Sequence, residues 1–399
     1  MSWIWAQLSL RGINVKRRTR SLRASVGDTF EEHFELANDS RIGKLWVELA
    51  NESNMPGAQG SRLMTMVGRK QKRTHIARTW LFRRGGYRLG PTRVTSGDPF
   101  GLFRTEHVFP AERSLVVLPM IYKINSFLSP PGLLPGGQVT RQKALDITPH
   151  ASGVREYVPG DPMKRIHWPT TARRDQLIVK EFEQDPHAEV WLFLDAQRIV
   201  HSEKPSEDSE AYNDGWLLDR RPKFELPSST LEYAVSITAS LAHYYLRQSK
   251  AVGLMTSTPQ FRIIPAERSE RQESKILETL AFIEAEGMLS IAGLVATQAG
   301  QLPQGSSAIL VTPTVYPELV SAVDDLQRRS LRPVVVLLIA DSFGGSKGGE
   351  TIYNALLERN VPVCRIYCGA DISFELSNFS SQVNSQDYSW RRPALSHLT

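Results

Sequence analysis

Residues 189–196 read EVWLFLDA, an unbroken apolar run from Val190 to Leu194 closed by Asp195. A run so short and so continuous fits a strand buried on both faces, which needs helices above and below it. The chain beyond it repeats that logic. STLEYAVSITASLAHYYLRQ (229–248) opens on a Ser/Thr cap and then spaces its apolar residues as a helix does. AVGLMTS (251–257), AILVTP (308–313), PVVVLLIAD (333–341) and VPVCRIYC (361–368) are further apolar runs. Between them lie the helix-like SKILETLAFIEAEG, YPELVSAVDDLQRRS and ETIYNALLERN. Alternating strand and helix predicts a mainly parallel, Rossmann-like α/β domain over 185–375. Ligands of such sheets sit beyond the carboxyl ends of the strands, where Asp195, Thr312 and Asp341 fall.

The chain upstream has another character. SVGDTFEEHFELANDS (25–40) alternates apolar and polar residues and ends in a turn at Asn38–Ser40. KLWVELAN, THIARTWLFRRGGYRLGP and RSLVVLP follow with Gly, Pro and Asn-Asp punctuation. Short strands at hairpin spacing predict a β-sandwich over 20–120. Charge separates the two bodies as well. Residues 1–120 carry 20 Lys and Arg against 10 Asp and Glu, whereas 185–399 carry 19 against 26, within a net +6. With 399 residues, 41% hydrophobic and 23% charged, the chain has material for two or three cores and excludes a disordered or fibrous protein.

Smaller segments complete the division. MSWIWAQLSL followed by KRRTR makes 1–19 an apolar and basic stub, too short to span a bilayer and compatible with a membrane-surface role. Residues 201–227 are polar and acidic and read as an insertion after the first strand, and 376–399 read as a disordered tail. Cys364 and Cys368 fit neither a redox CxxC pair nor a disulfide framework, so they read as small buried residues in a reducing compartment.

Residues 121–184 form a linker whose second half, GVREYVPGDPMKRIHWPTTARRDQLIVKEFE (153–183), concentrates charge and aromatic side chains. Three chemistries compete for it. A catalytic reading takes His167 as base with Asp161, Asp175 or Glu156, yet no nucleophile stands in a recognisable elbow. A nucleic-acid reading takes Arg155, Lys164, Arg165, Arg173, Arg174 and Lys180 as phosphate contacts. The interleaved Glu156, Asp161, Glu181 and Glu183 lower that field. A structural reading takes Pro159, Gly160 and Asp161 as a turn capping a short helix, QLIVKEFE as a strand, and Trp168 as a buried anchor in a clasp between the two domains. It accounts for the mixed charges best, because opposite charges mixed so evenly pair with each other.

The arrangement G-V-R-E-Y-V-P-G-D-P-x-x-R-I-H-W-x-x-T-A-R-x-x-x-L-x-V-K-E-F-E resembles the signature of the bacterial domain of unknown function 58 family. RRGGYRLGPTRVTSGDPFGLF resembles that family's N-terminal β domain, and ILETLAFI its helix after the second strand. The resemblance implies a von Willebrand factor type A-like α/β domain after the signature. It also implies partnership with a MoxR-type AAA+ ATPase in protein assembly or maturation, in the cytoplasm or at the cytoplasmic face of the inner membrane. The signature residues it marks for interaction are Arg155, Glu156, Tyr157, Gly160, Asp161, Arg165, His167, Trp168, Arg173, Lys180 and Glu181. Members commonly carry membrane helices before the β domain, and here the chain begins about where the last would end. The type A resemblance would also call for Asp-x-Ser-x-Ser after the first strand to bind Mg²⁺. That segment is Asp195-Ala196-Gln197-Arg198-Ile199, and the later Thr-Asp-Gly position reads Thr312-Pro313-Thr314. This is a degenerate site, and no metal or other cofactor is expected.

Taken together, the residues and the resemblance predict an α+β multidomain, non-enzymatic interaction protein with a MoxR-type AAA+ ATPase, other proteins and a membrane surface as partners. Nucleic acid is not an expected partner. A hydrolase centred on His167 and Asp161, and a nucleic-acid binder using the basic β domain, are the alternatives.

Overall fold

The computed structural model describes residues 2–100, 102–111, 113–128, 153–157, 166–174, 176–181, 189–204 and 224–385. The protein is mixed α/β, and its chain packs as two units, residues 1–128 with 190–399, and residues 129–189.

The larger unit opens on helix α1 (Ser2–Ser9) and strands β1 (Ile13–Thr19), β2 (Arg23–Ser25), β3 (Thr29–Asn38), β4 (Lys44–Asn51), β5 (Arg62–Val67), β6 (Lys72–Trp80), β7 (Gly85–Leu89), β8 (Thr92–Gly97), β9 (Arg104–Phe109) and β10 (Arg113–Leu118). They form three sheets, in the orders β1-β3-β6, β5-β4-β8-β9 and β2-β10-β7. Alternation decides what each face does. Phe34 and Leu36 of β3 meet Val47 and Leu49 of β4, Met64 and Val67 of β5 and Val94 of β8 in one core, while Phe30, Leu81, Leu89, Leu115 and Val117 fill a second. The basic stub expected over 1–19 is instead a helix and a full strand. β1 pairs with β3 from Ile13↔Asn38 to Thr19↔Glu32, and Arg17 turns onto the fully buried Glu32, its Nε donating at 2.7 Å. A buried carboxylate demands such a partner, which is why this basic run is pulled into a sheet.

The smaller unit contains β11 (Gly153–Glu156), helix α2 (Trp168–Arg174) and β12 (Ile178–Glu181). β11 and β12 pair antiparallel, with Arg155 opposite Val179.

The larger unit resumes with β13 (Val190–Leu194), α3 (Thr230–Arg247), β14 (Val252–Ser257), β15 (Phe261–Glu267), α4 (Glu270–Ala281), α5 (Ile291–Gln298), β16 (Ser307–Thr312), α6 (Glu318–Arg328), β17 (Arg332–Leu338), α7 (Gly349–Leu357), β18 (Val363–Ile366) and α8 (Ile372–Ser385). The six strands make one mixed sheet in the order β15-β14-β13-β16-β17-β18, parallel except for the edge strand β15. Along β13, Leu192 and Leu194 face a core closed by α3, α4 and α8, while Trp191 and Phe193 face one closed by α5, α6 and α7. That double cover is the physical reason for the unbroken apolar run.

Two expectations change here, and two elements are additional. The tail from 376 is helical to Ser385, because Leu376, Phe379 and Val383 fall on one face of α8 and pack into the α3 side of the sheet. The start of the linker, 121–128, is part of the α/β core: Ile124, Phe127 and Leu128 are buried there, and Tyr245 Oη donates to the Leu128 carbonyl at 2.6 Å. At the ends of the insertion expected over 201–227, Lys204 N donates to Ser228 O and Leu226 packs on the core. β15 and α5 were not foreseen, since an edge strand with one exposed face and an eight-residue helix leave little periodic signal.

The β-rich and α/β parts of the larger unit meet at a side chain that the sequence did not single out. Arg84, between β6 and β7, is buried and donates from Nε to Leu280 O at 3.1 Å and from Nη2 to Ile283 O, at the carboxyl end of α4. It also ion-pairs with Glu232 in the first turn of α3. A guanidinium at a helix carboxyl end satisfies carbonyls that have no partner within the helix. Next to it, Gly86 leaves room for the Phe282 ring, which a Cβ there would meet at 2.7 Å. At the periphery Arg23 pairs with Glu278.

Candidate functional site

β14 lies on one side of β13 and β16 on the other, so the connections leaving β13 and β16 part at their carboxyl ends. That is the place where an open α/β sheet offers a crevice, and Asp195 stands in it. The carboxylate is buried, accepts from Thr312 Oγ1 on Oδ2 at 2.6 Å and from Gln197 N on Oδ1 at 3.0 Å. Thr312 in turn accepts from Thr314 N at 3.0 Å. Burial pushes the Asp195 carboxyl up to about 6, with the Thr312 and Gln197 donors pulling the other way.

His201 completes the cluster. Its Nε2 lies 3.0 Å from the Asp195 carbonyl and its Nδ1 lies 3.0 Å from Thr230 Oγ1, at the start of α3. The first contact requires Nε2–H as donor, which leaves Nδ1 to accept from the hydroxyl. Ser202 N donates to the same Thr230 Oγ1 at 2.9 Å. Burial pushes the His201 imidazole down to about 4; the Asp195 carbonyl opposes this and the Arg84 charge adds to it. His201 and Thr230 were missed in the sequence because both flank the polar insertion. Their signal was the short step from Asp195 to His201 and the cap-like Ser229-Thr230.

The cluster does not fit the Mg²⁺ site of a type A domain. Both Asp195 oxygens are engaged by protein donors, the Thr312 hydroxyl gives its proton to the carboxylate, and Gln197 and Ile199 stand where hydroxyl ligands would be needed. Among the described residues no group of three or more His, Cys, Asp and Glu side chains could hold a metal ion. Asp341 lies exposed in the 3₁₀ turn Ala340–Phe343 and shares no recorded bond with Asp195. At the rim of this end Ile199 is 64% and Met288 92% exposed, beside the exposed Arg198 and Glu286, and Arg198 N donates to Gly287 O.

The signature residues fall in the smaller unit. His167 Nδ1 lies 2.7 Å from Thr170 Oγ1, and the His167 carbonyl accepts from Thr170 N and Thr171 N as α2 begins. Thr171 Oγ1 accepts from Ile178 N at 3.0 Å, His167 N donates to Ile178 O, and Tyr157 N donates to Leu177 O. Trp168, expected as a buried anchor, is 63% exposed; the buried positions are Ile166, Ile178 and Val179. Arg173 is exposed on α2. Arg155, Glu156, Lys180 and Glu181 lie on the β11–β12 ladder with side chains outside the described set. Gly160, Asp161 and Arg165, with the expected cap and most of the short helix over 162–168, lie outside the described residues, as does Asp175. His167 therefore meets Thr170 and no described carboxylate.

Fold and site thus define an α/β protein with a doubly covered mixed sheet and a buried carboxylate at its switch point. Residues 153–204, which run from the signature through Asp195 and His201, match the family model described as "Protein of unknown function DUF58". The chain is 28% identical over 207 residues to the "Uncharacterized protein YeaD" of Bacillus subtilis (strain 168), which covers 51% of this chain and 44% of that protein. The chain therefore spans less than half the length of this curated relative. Among solved structures it is similar to proximal thread matrix protein 1 of the mussel byssus at 8% identity, TM-score 0.31, covering 49% of this chain and 47% of that one. It is also similar to the cupredoxin domain of amoB from Nitrosocaldus yellowstonii at 10% identity, TM-score 0.21, covering 36% and 99%.

Proposed function

We propose that the protein is a non-enzymatic interaction protein of the domain of unknown function 58 family. In this reading a β-sandwich is joined to a von Willebrand type A-like domain, and the protein works beside a MoxR-type AAA+ ATPase in assembly or maturation of other proteins at the cytoplasmic face of a membrane. The observation that carries it is the family match over 153–204. The sheet order, with its antiparallel third strand at the edge, agrees with a type A-like domain. Support for binding rather than catalysis comes from Asp195, whose oxygens are both occupied by internal donors. The partner face in this reading is the carboxyl end of the sheet, where the exposed Met288 and Ile199 present apolar surface at the place a metal-dependent domain would present its ion.

The test is a pull-down with the tagged full chain from its own host under nucleotide-trapping conditions. The expected result is an AAA+ ATPase that is recovered with the native chain and lost with Met288→Asp plus Ile199→Asp. Recovery of no ATPase, or equal recovery with both chains, overturns the partner or the face respectively.

A further inference from the structure

One end of the β-rich part gathers four connections. Asn38 ties them: its Nδ2 donates to Ile42 O and to Gly68 O, both at 2.9 Å, and its backbone N donates to Gln71 O. Asp39 N donates to Gly12 O, which brings in the α1–β1 turn, and Lys70 N donates to Ser40 O. The fourth connection is the β8–β9 loop, described at residues 98–100, 102 and 103. It is docked beside β4 by Trp46 Nε1 donating to Asp98 O, and beside α1 by Thr105 Oγ1 donating to Ala6 O at 3.0 Å. The buried Lys44 Nζ caps the carboxyl end of α1 at Leu8 O, 2.8 Å.

The β8–β9 loop is not collapsed onto the protein. Asp98 is fully buried and its two oxygens accept from Phe103 N at 2.7 Å and from Phe100 N at 3.1 Å, which braces the turn. The braced turn holds Phe100 80% and Leu102 72% exposed, with Phe103 and, on α1, Trp5 also exposed. The α1–β1, β3–β4 and β5–β6 connections expose Arg11, Arg41, Arg69 and Lys70 against one exposed acid, Asp39, and β9 begins on the exposed Arg104, two residues before the exposed Glu106. None of these five cations makes a recorded ion pair among the described residues. Elsewhere in the β-rich part, Arg78, Arg93 and Lys72 are paired with Glu31, Glu52 and Glu35, whereas Lys16, Arg18, Arg20, Arg88 and Arg113 are exposed with no ion pair among the described residues.

We infer that this end docks on an anionic lipid bilayer, with Phe100, Leu102, Phe103 and Trp5 entering the interface and the five cations lying at the phosphate level. A braced, exposed apolar tip on an end that also exposes cations matches the layering of a membrane surface, where acyl chains lie beneath a negatively charged headgroup layer. Nucleic acid is the poorer fit, since a projecting tip offers no groove for a phosphate backbone to track. The inference does not depend on the ATPase partner.

The experiment is co-sedimentation of the full chain with vesicles of phosphatidylcholine alone and of phosphatidylcholine mixed with phosphatidylglycerol. The native chain is expected to sediment with the mixed vesicles and less with the neutral ones. Phe100→Ser with Leu102→Ser and Phe103→Ser should lower the partition about tenfold or more. Arg69→Glu with Lys70→Glu should abolish the preference for the anionic vesicles. Thermal unfolding of each variant reports its fold, and the charge-reversal pair carries the test alone if the triple variant melts without cooperativity. Failure of the native chain to sediment with anionic vesicles, or variants that sediment as it does, overturns the inference. So does sedimentation velocity that shows the native chain dimerising through this end while the triple variant stays monomeric.

Discussion

Asp195 and His201 titrate in overlapping ranges with opposite consequences. The Asp195 carboxyl, raised to about 6, keeps a proton that the unfolded chain has released above its ordinary 3.8. Its contribution therefore favours the fold at the acid end and is lost as pH rises through about 6. The His201 imidazole, lowered to about 4, refuses a proton that the unfolded chain binds below 6.5. Its contribution disfavours the fold at the acid end, and stability is regained as pH rises toward 6.5. Each is worth on the order of 3 kcal/mol across the window, so in the native chain the two slopes largely offset. Asp195→Asn, which can still accept from Gln197 N and donate to Thr312 Oγ1, should leave stability rising between about pH 4 and pH 7. His201→Gln should leave it falling. Urea unfolding across that range measures both slopes, and parallel curves for the two variants would refute the assignment.

At the level of elements, α8 shows how a weakly patterned segment is recruited by what it covers. ISFELSNFSSQVNS is rich in Ser and Asn and poor in helix formers, yet Leu376, Phe379 and Val383 close one end of the sheet over Cys364 and Ile366. Tertiary burial makes it a helix where propensity is indifferent. Burial also pushes the Cys364 thiol far above its ordinary range, and its Sγ points at the Glu375 carbonyl on that helix. Phe379→Ala should cost about 3–5 kcal/mol and speed the modification of Cys364 by a thiol reagent under native conditions. Unchanged labelling of Cys364, followed by mass spectrometry of its peptide, would show that α8 does not protect it.

At the level of the whole molecule, Arg84 couples the β-rich part to the α/β part, because one guanidinium serves two carbonyls at the end of α4 and the Glu232 carboxylate on α3. Its loss removes the side-chain donor of the Ile283 carbonyl and of the partly buried Glu232 carboxylate, while the Leu280 carbonyl keeps Ile283 N. Arg84→Ala should lower stability by about 3–5 kcal/mol, and Glu232→Gln on top of it should cost less than it does alone. In the native chain, tryptophan fluorescence and far-ultraviolet circular dichroism should follow one unfolding transition, since Trp46 and Trp80 lie in the β-rich part and Trp191 in the sheet. In the Arg84→Ala chain the two signals should separate. Coincident transitions in both chains would mean that the junction is held by Gly86, Phe282 and their neighbours without it.

Much of this was determined by sequence alone, since local periodicity needs no knowledge of the partner surface. Five apolar residues before Asp195 require cover on two faces, the alternation of FEEHFEL requires a half-buried strand, and residues 153–183 carry their resemblance in the order of their letters. Asp195 and Thr312 could likewise be seen to lack the hydroxyl and carboxylate company of a metal site. Tertiary structure alone decided the rest. Arg17 and Arg84 look like two more members of a basic front, and only the buried Glu32 and the carbonyls of a helix 196 residues away turn them into ties. Trp168 looks like an anchor and stands exposed, while the Asp98 brace turns SGDPFGLF, readable as a mere turn, into a projecting apolar tip. The division follows from range: period and turn chemistry act over a few residues, whereas the worth of a charge or an aromatic ring depends on what the fold brings against it.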